Sequence, residues 1–149
     1  MLRLIKKFFK LTAPNRFLLF EAFLGLFFSK IILLFFTLKK IAPRLGIINQ
    51  AINKNLSQSQ QSTAEQIRLS VARVSRFLPW RSVCIDQAMT GLMMLSRRKI
   101  PSGLCLGVKK DPNEKKLLAH AWVICGNRIL IGGEQSRGFK LVSTFVRNH

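Results

Sequence analysis

Acidic residues are scarce in this sequence, because six Asp and Glu residues stand against 25 Lys and Arg residues, for a formal net charge of +19. Such an excess needs an anionic partner or surface, and nucleic acid, an anionic membrane face and an acidic polypeptide would each satisfy it. The sequence has no recognised nucleic-acid-binding motif, and its aromatic residues lie in apolar runs rather than between basic residues. We therefore expect no nucleic acid partner.

Cysteine and histidine are also rare. The three cysteines are odd in number and form no Cys-x-x-Cys pair, which argues against a disulfide framework and against a zinc site. Reduced thiols fit a cytoplasmic protein, and the pattern indicates neither a metal nor another cofactor. One of the two histidines, His149, is the last residue. His120 is therefore the histidine that we expect to lie within the folded part of the chain.

The apolar residues are sufficient for a buried core. They make up 48% of 149 residues, which predicts one domain, or a small domain with an appendage. Most of the phenylalanines lie in the first third, where residues 17–36 are almost entirely apolar. Pro14 and Pro43 predict a helix over residues 14–40 between two basic flanks.

This apolar helix has three possible environments. It packs against the domain or a partner protein, lies on a membrane surface through residues 14–40, or spans a membrane. Glu21 and Lys30 disfavour the span, because each charge would cost about 2.5–3.5 kcal/mol at mid-bilayer depth. We expect the first arrangement and keep contact with the inner face of the membrane as the second.

A polar stretch separates this segment from the rest of the chain. Residues 50–63, QAINKNLSQSQQST, are typical of a linker or an exposed loop. Helical periodicity resumes after Thr63, which we predict to be the N-cap of a capping box with Gln66, and Pro79 ends this helix. The predicted division is therefore a helical N-terminal segment with its linker, residues 1–62, and a folded domain, residues 63–149.

A second helix is predicted to start after Ser82, its expected N-cap, and to end at the basic residues SRRK. Cys84 then lies in the first turn. A thiol at that position faces unpaired backbone N–H groups and the positive end of the helix dipole, which favour the thiolate. The alternative is that Cys84 is a small buried apolar residue, as we expect for Cys105 and Cys125.

The remaining residues predict an antiparallel sheet. Strands are expected over residues 104–108, 117–125 and 128–131, with Gly126-Asn127 as a two-residue turn and a further strand in GFKLVSTF. Helices followed by an antiparallel sheet form an α+β fold. His120 lies on the second of these strands, and we expect it to face the helix that carries Cys84.

A cysteine at a helix N-terminus and a histidine on a following strand form the layout of a papain-like or transglutaminase-like core. In that chemistry the thiolate attacks a carbonyl, and the imidazole keeps the thiol deprotonated and then protonates the leaving amine. Backbone N–H groups at the helix terminus stabilise the oxyanion. The bare pair is a weak signal, and the surrounding residues make it specific.

These surrounding residues resemble the B2 proteins of lasso peptide biosynthesis, which are leader peptidases with a transglutaminase-like fold. The resemblance covers about residues 77–145 and rests on the following positions: Trp80, Arg81, Cys84, Ile100, Pro101, Leu106, Gly107, Val108, the run AHAWV at 119–123, and Gly132-Gly133. It implies a cysteine peptidase with Cys84 and His120 as catalytic residues.

The resemblance also implies partners. The enzyme would remove the leader peptide from a ribosomally made precursor, and an ATP-dependent cyclase similar to asparagine synthetase would then close the ring. Residues before 77 leave no room for a leader-recognition domain, so we expect the split form of the family, which works with a separate B1-type recognition protein.

The third catalytic member is where this sequence departs from the family. The family usually has an aspartate in the strand after the histidine. Here the Gly126-Asn127 turn would place His120 opposite about residue 133, where no aspartate occurs, and Glu134 is the nearest acid. We expect Glu134 or a backbone group to orient the imidazole, and Asp86 to serve only as a helix N-terminal charge.

Two other functions compete with the peptidase. A transglutaminase-like acyltransferase would use the same residues and differ only in its acceptor, an amine instead of water. A non-catalytic basic module that binds a membrane or a partner protein would leave Cys84 and His120 buried.

Overall fold

Apolar residues recur at helical spacing in the earlier part of the chain, and segments typical of β-strands follow. The helices and strands of the structure come in this order. The computed structural model describes residues 12–53 and 55–149. Its helices are α1 (Ala13–Phe35), α2 (Leu38–Leu45), α3 (Gln58–Ser75) and α4 (Cys84–Arg97), and its strands are β1 (Ile47–Ile48), β2 (Ser102–Lys110), β3 (Leu117–Cys125), β4 (Arg128–Ile131) and β5 (Lys140–Arg147). A short 3₁₀ helix, Glu134–Ser136, lies between β4 and β5.

The strands form one antiparallel sheet in the order β1-β5-β2-β3-β4. The hairpin between β3 and β4 is the predicted one, since Cys125 pairs with Arg128 across Gly126, which has a φ of +60°. Such a tight turn needs a positive φ, which glycine adopts without strain. The expected α+β fold, with an apolar N-terminal helix, is confirmed.

Helix α4 occupies the centre of the structure, where it contacts β3, β2, α1 and α3. One hydrophobic core joins all of these elements, and its members include Leu18, Ala22, Ile67, Val71, Leu92, Leu95, Leu104, Val123 and Phe145. Gly91 permits the close approach of α4 to the sheet, because an added Cβ would collide with the end of the Ile131 side chain. Helix α1 is therefore part of the same core as the sheet.

The apolar N-terminal helix is shorter than predicted. It ends at Phe35, and Phe36 and Thr37 are extended before α2 begins. Pro43 was expected to stop the long helix, but it lies inside α2. The break falls at residues that include neither Gly nor Pro, so no local breaker marks it.

The predicted N-cap of α3 was wrong. The capping box is formed by Ser57 and Gln60: the Ser57 hydroxyl accepts from the Gln60 N–H at 3.2 Å, and the Gln60 side chain accepts from the Ser57 N–H at 3.0 Å. The second half of the polar stretch 50–63 is therefore helical, and the predicted division at residues 62 and 63 falls within α3.

Candidate active site

Cys84 is the first residue of α4, as the sequence predicted, but Val83 and not Ser82 precedes it as the N-cap. The helix starts there because the Asp86 carboxylate accepts a hydrogen bond from the Val83 N–H at 3.1 Å. Asp86 is fully buried, and the Lys30 ammonium lies 3.9 Å from its carboxylate. Asp86 is thus the helix N-terminal charge that was expected.

The three thiols differ in their access to solvent. Cys84 is half-buried, whereas Cys105 and Cys125 are buried. Burial raises the pKa of the Cys105 and Cys125 thiols, which favours their neutral form, and a hydrogen-bonding contact with Thr144 opposes this only in part for Cys105. Because the thiolate is the nucleophile, Cys84 is the best candidate of the three.

His120 lies in an aromatic pocket. Its ring stacks on Trp122, with centroids 5.9 Å apart, and contacts Phe139 at 5.3 Å. The Nε2 atom lies 3.0 Å from the carbonyl oxygen of Gly132. Since a carbonyl can only accept, Nε2 donates this hydrogen bond, and in a neutral ring Nδ1 is the atom left to accept a proton.

His120 and Cys84 lie on different sides of β3. Side chains alternate along a strand, and Val123 faces α4, where it lies close to Gly91. His120 shares the opposite face with Trp122, so the expectation that it faces α4 was wrong. Among the hydrogen bonds of residues 12–53 and 55–149, none joins the Cys84 thiol to the His120 ring.

The two residues nevertheless lie at the same end of the α4 and β3 layers. Gly91 of α4 lies close to Val123 of β3, and Cys84 precedes Gly91 by two helical turns, or about 10 Å along the helix. His120 is three strand residues back, which is also about 10 Å. Strand β4 pairs with β3 only from Val123 onwards, so among residues 12–53 and 55–149 no strand pairs with the edge of β3 beside His120.

A groove of about 760 Å³ opens at this edge, between α3 and β4. We name it the α3–β4 groove, and its lining includes Glu65, Arg68, Arg76, Gln87, Arg128, Gly132, Gly133 and Glu134. Neither Cys84 nor His120 lines this groove, but it adjoins both, because Gln87 lies one turn after Cys84 and Gly132 binds His120.

Charged side chains line much of this groove. Glu65 accepts two hydrogen bonds from Arg68, at 2.8 and 2.6 Å, and lies 3.2 Å from the Arg128 guanidinium. The hydrogen bonds from Arg68 lower the pKa of Glu65. Hydrogen bonding to Glu65 raises the pKa of Arg68, and the nearby charge of Glu134 acts in the same direction.

Glu134 is exposed at the start of the 3₁₀ helix. In the described part of the chain it makes no hydrogen bond to His120, and its charge acts on Arg68 instead. The backbone alternative is the one that the structure contains, since the Gly132 carbonyl holds the ring. The sequence did not reveal Phe139 as a neighbour of the site, because it lies in a segment without a local motif.

Both tryptophans pack against other rings. Trp122 lies beneath His120 and over Gly107, whose missing Cβ leaves room for the indole ring. Trp80, just before α4, contacts Phe23 and Phe27 of α1. In residues 12–53 and 55–149, no group of three or more His, Cys, Asp or Glu side chains is arranged to hold a metal ion.

Comparison with known proteins gives the family. The family described as "Transglutaminase-like superfamily" matches residues 32–144, well over half of the chain. The chain belongs to the transglutaminase-like superfamily. This match begins within α1 and ends within β5, so it includes the helix of Cys84 and the strand of His120. No curated protein and no solved structure gives a significant match.

A thiol at the start of the central helix is compatible with the chemistry of this superfamily. Membership of this superfamily supports a general role as a cysteine protease or an acyltransferase, without deciding between the two. In both activities a cysteine thiolate attacks a carbonyl carbon, so the nucleophile is shared and the acceptor of the acyl group decides the product.

Proposed function

We propose that this chain is a cysteine peptidase that removes the leader from a ribosomally synthesised lasso peptide precursor. The observation that carries the proposal is Cys84, the least buried of the three thiols, at the first residue of the central helix of a transglutaminase-like chain. Within the superfamily, the resemblance of the run AHAWV around His120 to the B2-type peptidases supports this choice.

The proposed reaction has two steps. The Cys84 thiolate attacks the scissile carbonyl, and unpaired N–H groups of the first turn of α4 stabilise the oxyanion. The peptide bond breaks, the imidazolium of His120 gives its proton to the leaving amine, and a thioester remains on Cys84. Water, deprotonated by the same imidazole, then hydrolyses the thioester and releases the leader with a free carboxylate.

In this proposal His120 must approach Cys84 from across β3. The route would be the edge of β3 beside Gly132, where no strand of the described residues pairs, and the ring would have to leave Trp122 and Phe139 and break its hydrogen bond to the Gly132 carbonyl. Catalytic hydrogen bonds are often long or poorly aligned before the substrate binds. A precursor peptide in the α3–β4 groove would contact Gly132 and Gln87 together, which provides a cause for the rearrangement.

The partners follow from the same proposal. They are the precursor's leader peptide, a separate B1-type leader-recognition protein and an asparagine synthetase-like cyclase, all in the cytoplasm. The net charge of +19 suits acidic leader segments or acidic partner surfaces.

The direct test uses the full chain, a candidate precursor and a candidate recognition protein. Mass spectrometry of the mixture should show the leader and the core peptide as two new masses whose sum equals the precursor plus one water. A precursor that stays intact with wild-type protein, under conditions in which the recognition protein binds its leader, would overturn the proposal.

A second test needs no substrate. Iodoacetamide should alkylate Cys84 faster than Cys105 or Cys125, and the pH profile of the Cys84 reaction should shift in His120→Gln if the imidazole and the thiol interact. The matched control is His149→Gln, which should leave the profile unchanged. An identical pH profile in all three proteins would show that the His120 imidazole does not interact with the Cys84 thiol.

Two observations favour second candidates. The acyltransferase is supported by the family alone, and it predicts incorporation of a fluorescent primary amine into the precursor, at the expense of hydrolysis. The non-catalytic module is favoured by the enclosed position of His120, which is 8% exposed and held by Gly132. It predicts slow alkylation of Cys84 and no cleavage of any precursor.

A further inference from the structure

Helix α1 exposes a continuous apolar face. Its members follow one another at spacings of three or four residues, so they lie on one side of the helix. They are Phe17, Phe20, Phe23, Leu24, Phe27, Phe28, Ile31, Leu34 and Phe35. Phe20 is 56% exposed and Phe35 is 77% exposed. This phenylalanine face contains no polar side chain, which is unusual for a surface exposed to water.

The charges of α1 lie on its other side. Glu21 is buried, with one carboxylate oxygen 2.6 Å from the Arg98 guanidinium and the other 3.3 Å from that of Arg97. Lys30 points towards the carboxylate of Asp86. Both charges that interrupt the apolar run are therefore paired with residues of α4, on the side that packs into the core.

This arrangement distinguishes a surface helix from a spanning one. Ala13–Phe35 is the one helix in the described ranges, 12–53 and 55–149, that is long and apolar enough to cross a membrane. A span would have to separate Glu21 and Lys30 from their partners and expose buried residues such as Ala22 and Leu26 to lipid. A helix lying in the plane of the interface keeps all of these contacts.

Basic residues flank the phenylalanine face. Arg16 lies at the start of α1, and Lys39, Lys40 and Arg44 lie in α2 with exposed side chains. The only six acidic residues of the chain include Glu21 and Asp86, which face inwards. An apolar strip between basic flanks, on a protein with a net charge of +19, is complementary to an anionic bilayer surface.

We propose that the phenylalanine face of α1 docks on an anionic lipid bilayer, with the helix lying in the interface and the rest of the domain on the aqueous side. The surface adjoins the candidate site, because Trp80 contacts Phe23 and Phe27 and lies in the segment that leads to Cys84. The proposal concerns the surface alone and does not depend on the peptidase activity.

The test is co-sedimentation of the full chain with vesicles of phosphatidylcholine mixed with phosphatidylglycerol, and with vesicles of phosphatidylcholine alone. Wild-type protein should sediment with the mixed vesicles, and added salt should weaken the binding. The variant Phe17→Gln/Phe20→Gln keeps helix-forming residues and should bind at least about tenfold more weakly.

The matched control is Leu141→Thr/Val142→Thr, which removes two exposed apolar side chains from β5 and should bind as wild type does. A second variant, Lys39→Gln/Lys40→Gln, should lose part of the preference for anionic vesicles. Thermal melts of each variant separate lost docking from lost folding.

Several results would overturn the proposal. They are wild-type protein that stays in the supernatant, a Phe17→Gln/Phe20→Gln variant that binds as tightly as wild type, and retention after carbonate extraction, which would indicate a span. A wild-type dimer that the same variant converts to a monomer, without vesicle binding, would identify a second copy of the chain as the occupant.

Discussion

The two sides of β3 serve different purposes. On the side that faces α4, Ala121 and Val123 join Leu104 in the apolar core. On the other side, His120 and Trp122 share a smaller cluster of polarisable and polar groups, which includes Cys105, Thr144 and Phe139. The first side supports the fold through burial alone, whereas the second depends on specific contacts to a backbone carbonyl and to ring faces.

Cys84 belongs to the first side and His120 to the second, so the candidate catalytic pair is divided between them. The thiol is partly accessible, while the imidazole is enclosed. If the proposed chemistry is right, the second side must be the adjustable one, because moving α4 would disturb the whole core. The following predictions test this difference, in order of expected effect.

The largest effect is expected at the thiol. Cys84→Ala should reduce leader removal by roughly 10³-fold or more, because no other group can form the thioester. Cys105 lies on the other face of the sheet, away from α4, so Cys105→Ala should retain cleavage. Single-turnover cleavage of a candidate precursor measures both, and equal loss in the two variants would show that the thiol chemistry has been assigned to the wrong cysteine.

The imidazole should come second. His120→Ala should reduce cleavage by about 10²–10⁴-fold, the usual scale of general acid–base catalysis. The unfolding free energy should fall by only about 1–2 kcal/mol, because the variant leaves the Gly132 carbonyl without its donor. Denaturant unfolding and cleavage are measured on the same sample.

A purely structural His120 would give the reverse pattern for that variant. The protein would unfold, or would melt early and still cleave at the normal rate. His120→Gln serves as the control, since its longer amide can donate to the Gly132 carbonyl in place of Nε2 but cannot act as a base at neutral pH.

The third prediction compares two glycines on opposite sides of the sheet, Gly107 in β2 and Gly91 in α4. In Gly107→Ala the new Cβ would lie 2.6 Å from the Trp122 ring and 3.0 Å from the Lys140 carbonyl, neither of which can move easily. We expect a loss of about 1–3 kcal/mol in unfolding free energy. In Gly91→Ala the clash is with the flexible end of Ile131, and the gain of about 0.5–1 kcal/mol from replacing a helical glycine opposes it.

Gly91→Ala should therefore be the milder of the two glycine changes, by denaturant unfolding. If Gly91→Ala lowered the unfolding free energy more than Gly107→Ala, the side of the sheet that packs on α4 would be the less tolerant of the two. That result would contradict the comparison above. The Trp122 fluorescence of Gly107→Ala should also change, because the added methyl displaces the indole.

Local chemistry explains what the sequence predicted well. The β3–β4 hairpin was placed correctly because Gly126-Asn127 is a strong turn signal between two apolar runs. Cys84 was placed correctly in the first turn of its helix, although the expected N-cap, Ser82, lies one residue before the observed N-cap, Val83. The start of α3 was missed because Ser57 and Gln60 form a capping box inside a stretch whose composition is typical of a linker.

The direction of His120 could not be read from the sequence. Residues 120–123 are all buried, so the run has no alternation of apolar and polar residues to reveal which face meets α4. The bulge between β3 and β4, which shifts the register after Val123, was equally hidden. The group beside the imidazole is the Gly132 carbonyl rather than a side chain.

The smallest effect is expected at Glu134, which tests what orients the imidazole. The Gly132 carbonyl already holds Nε2, and the Glu134 charge acts on Arg68 across the α3–β4 groove. Glu134→Gln should therefore reduce kcat by less than about tenfold, a change below about 1.4 kcal/mol in barrier. Glu65→Gln is the matched control, because it removes a groove carboxylate that lies on α3. If Glu134→Gln lowers kcat as far as His120→Ala while Glu65→Gln does not, Glu134 rather than the backbone orients the ring, and the 3₁₀ helix must move towards His120 when the substrate binds.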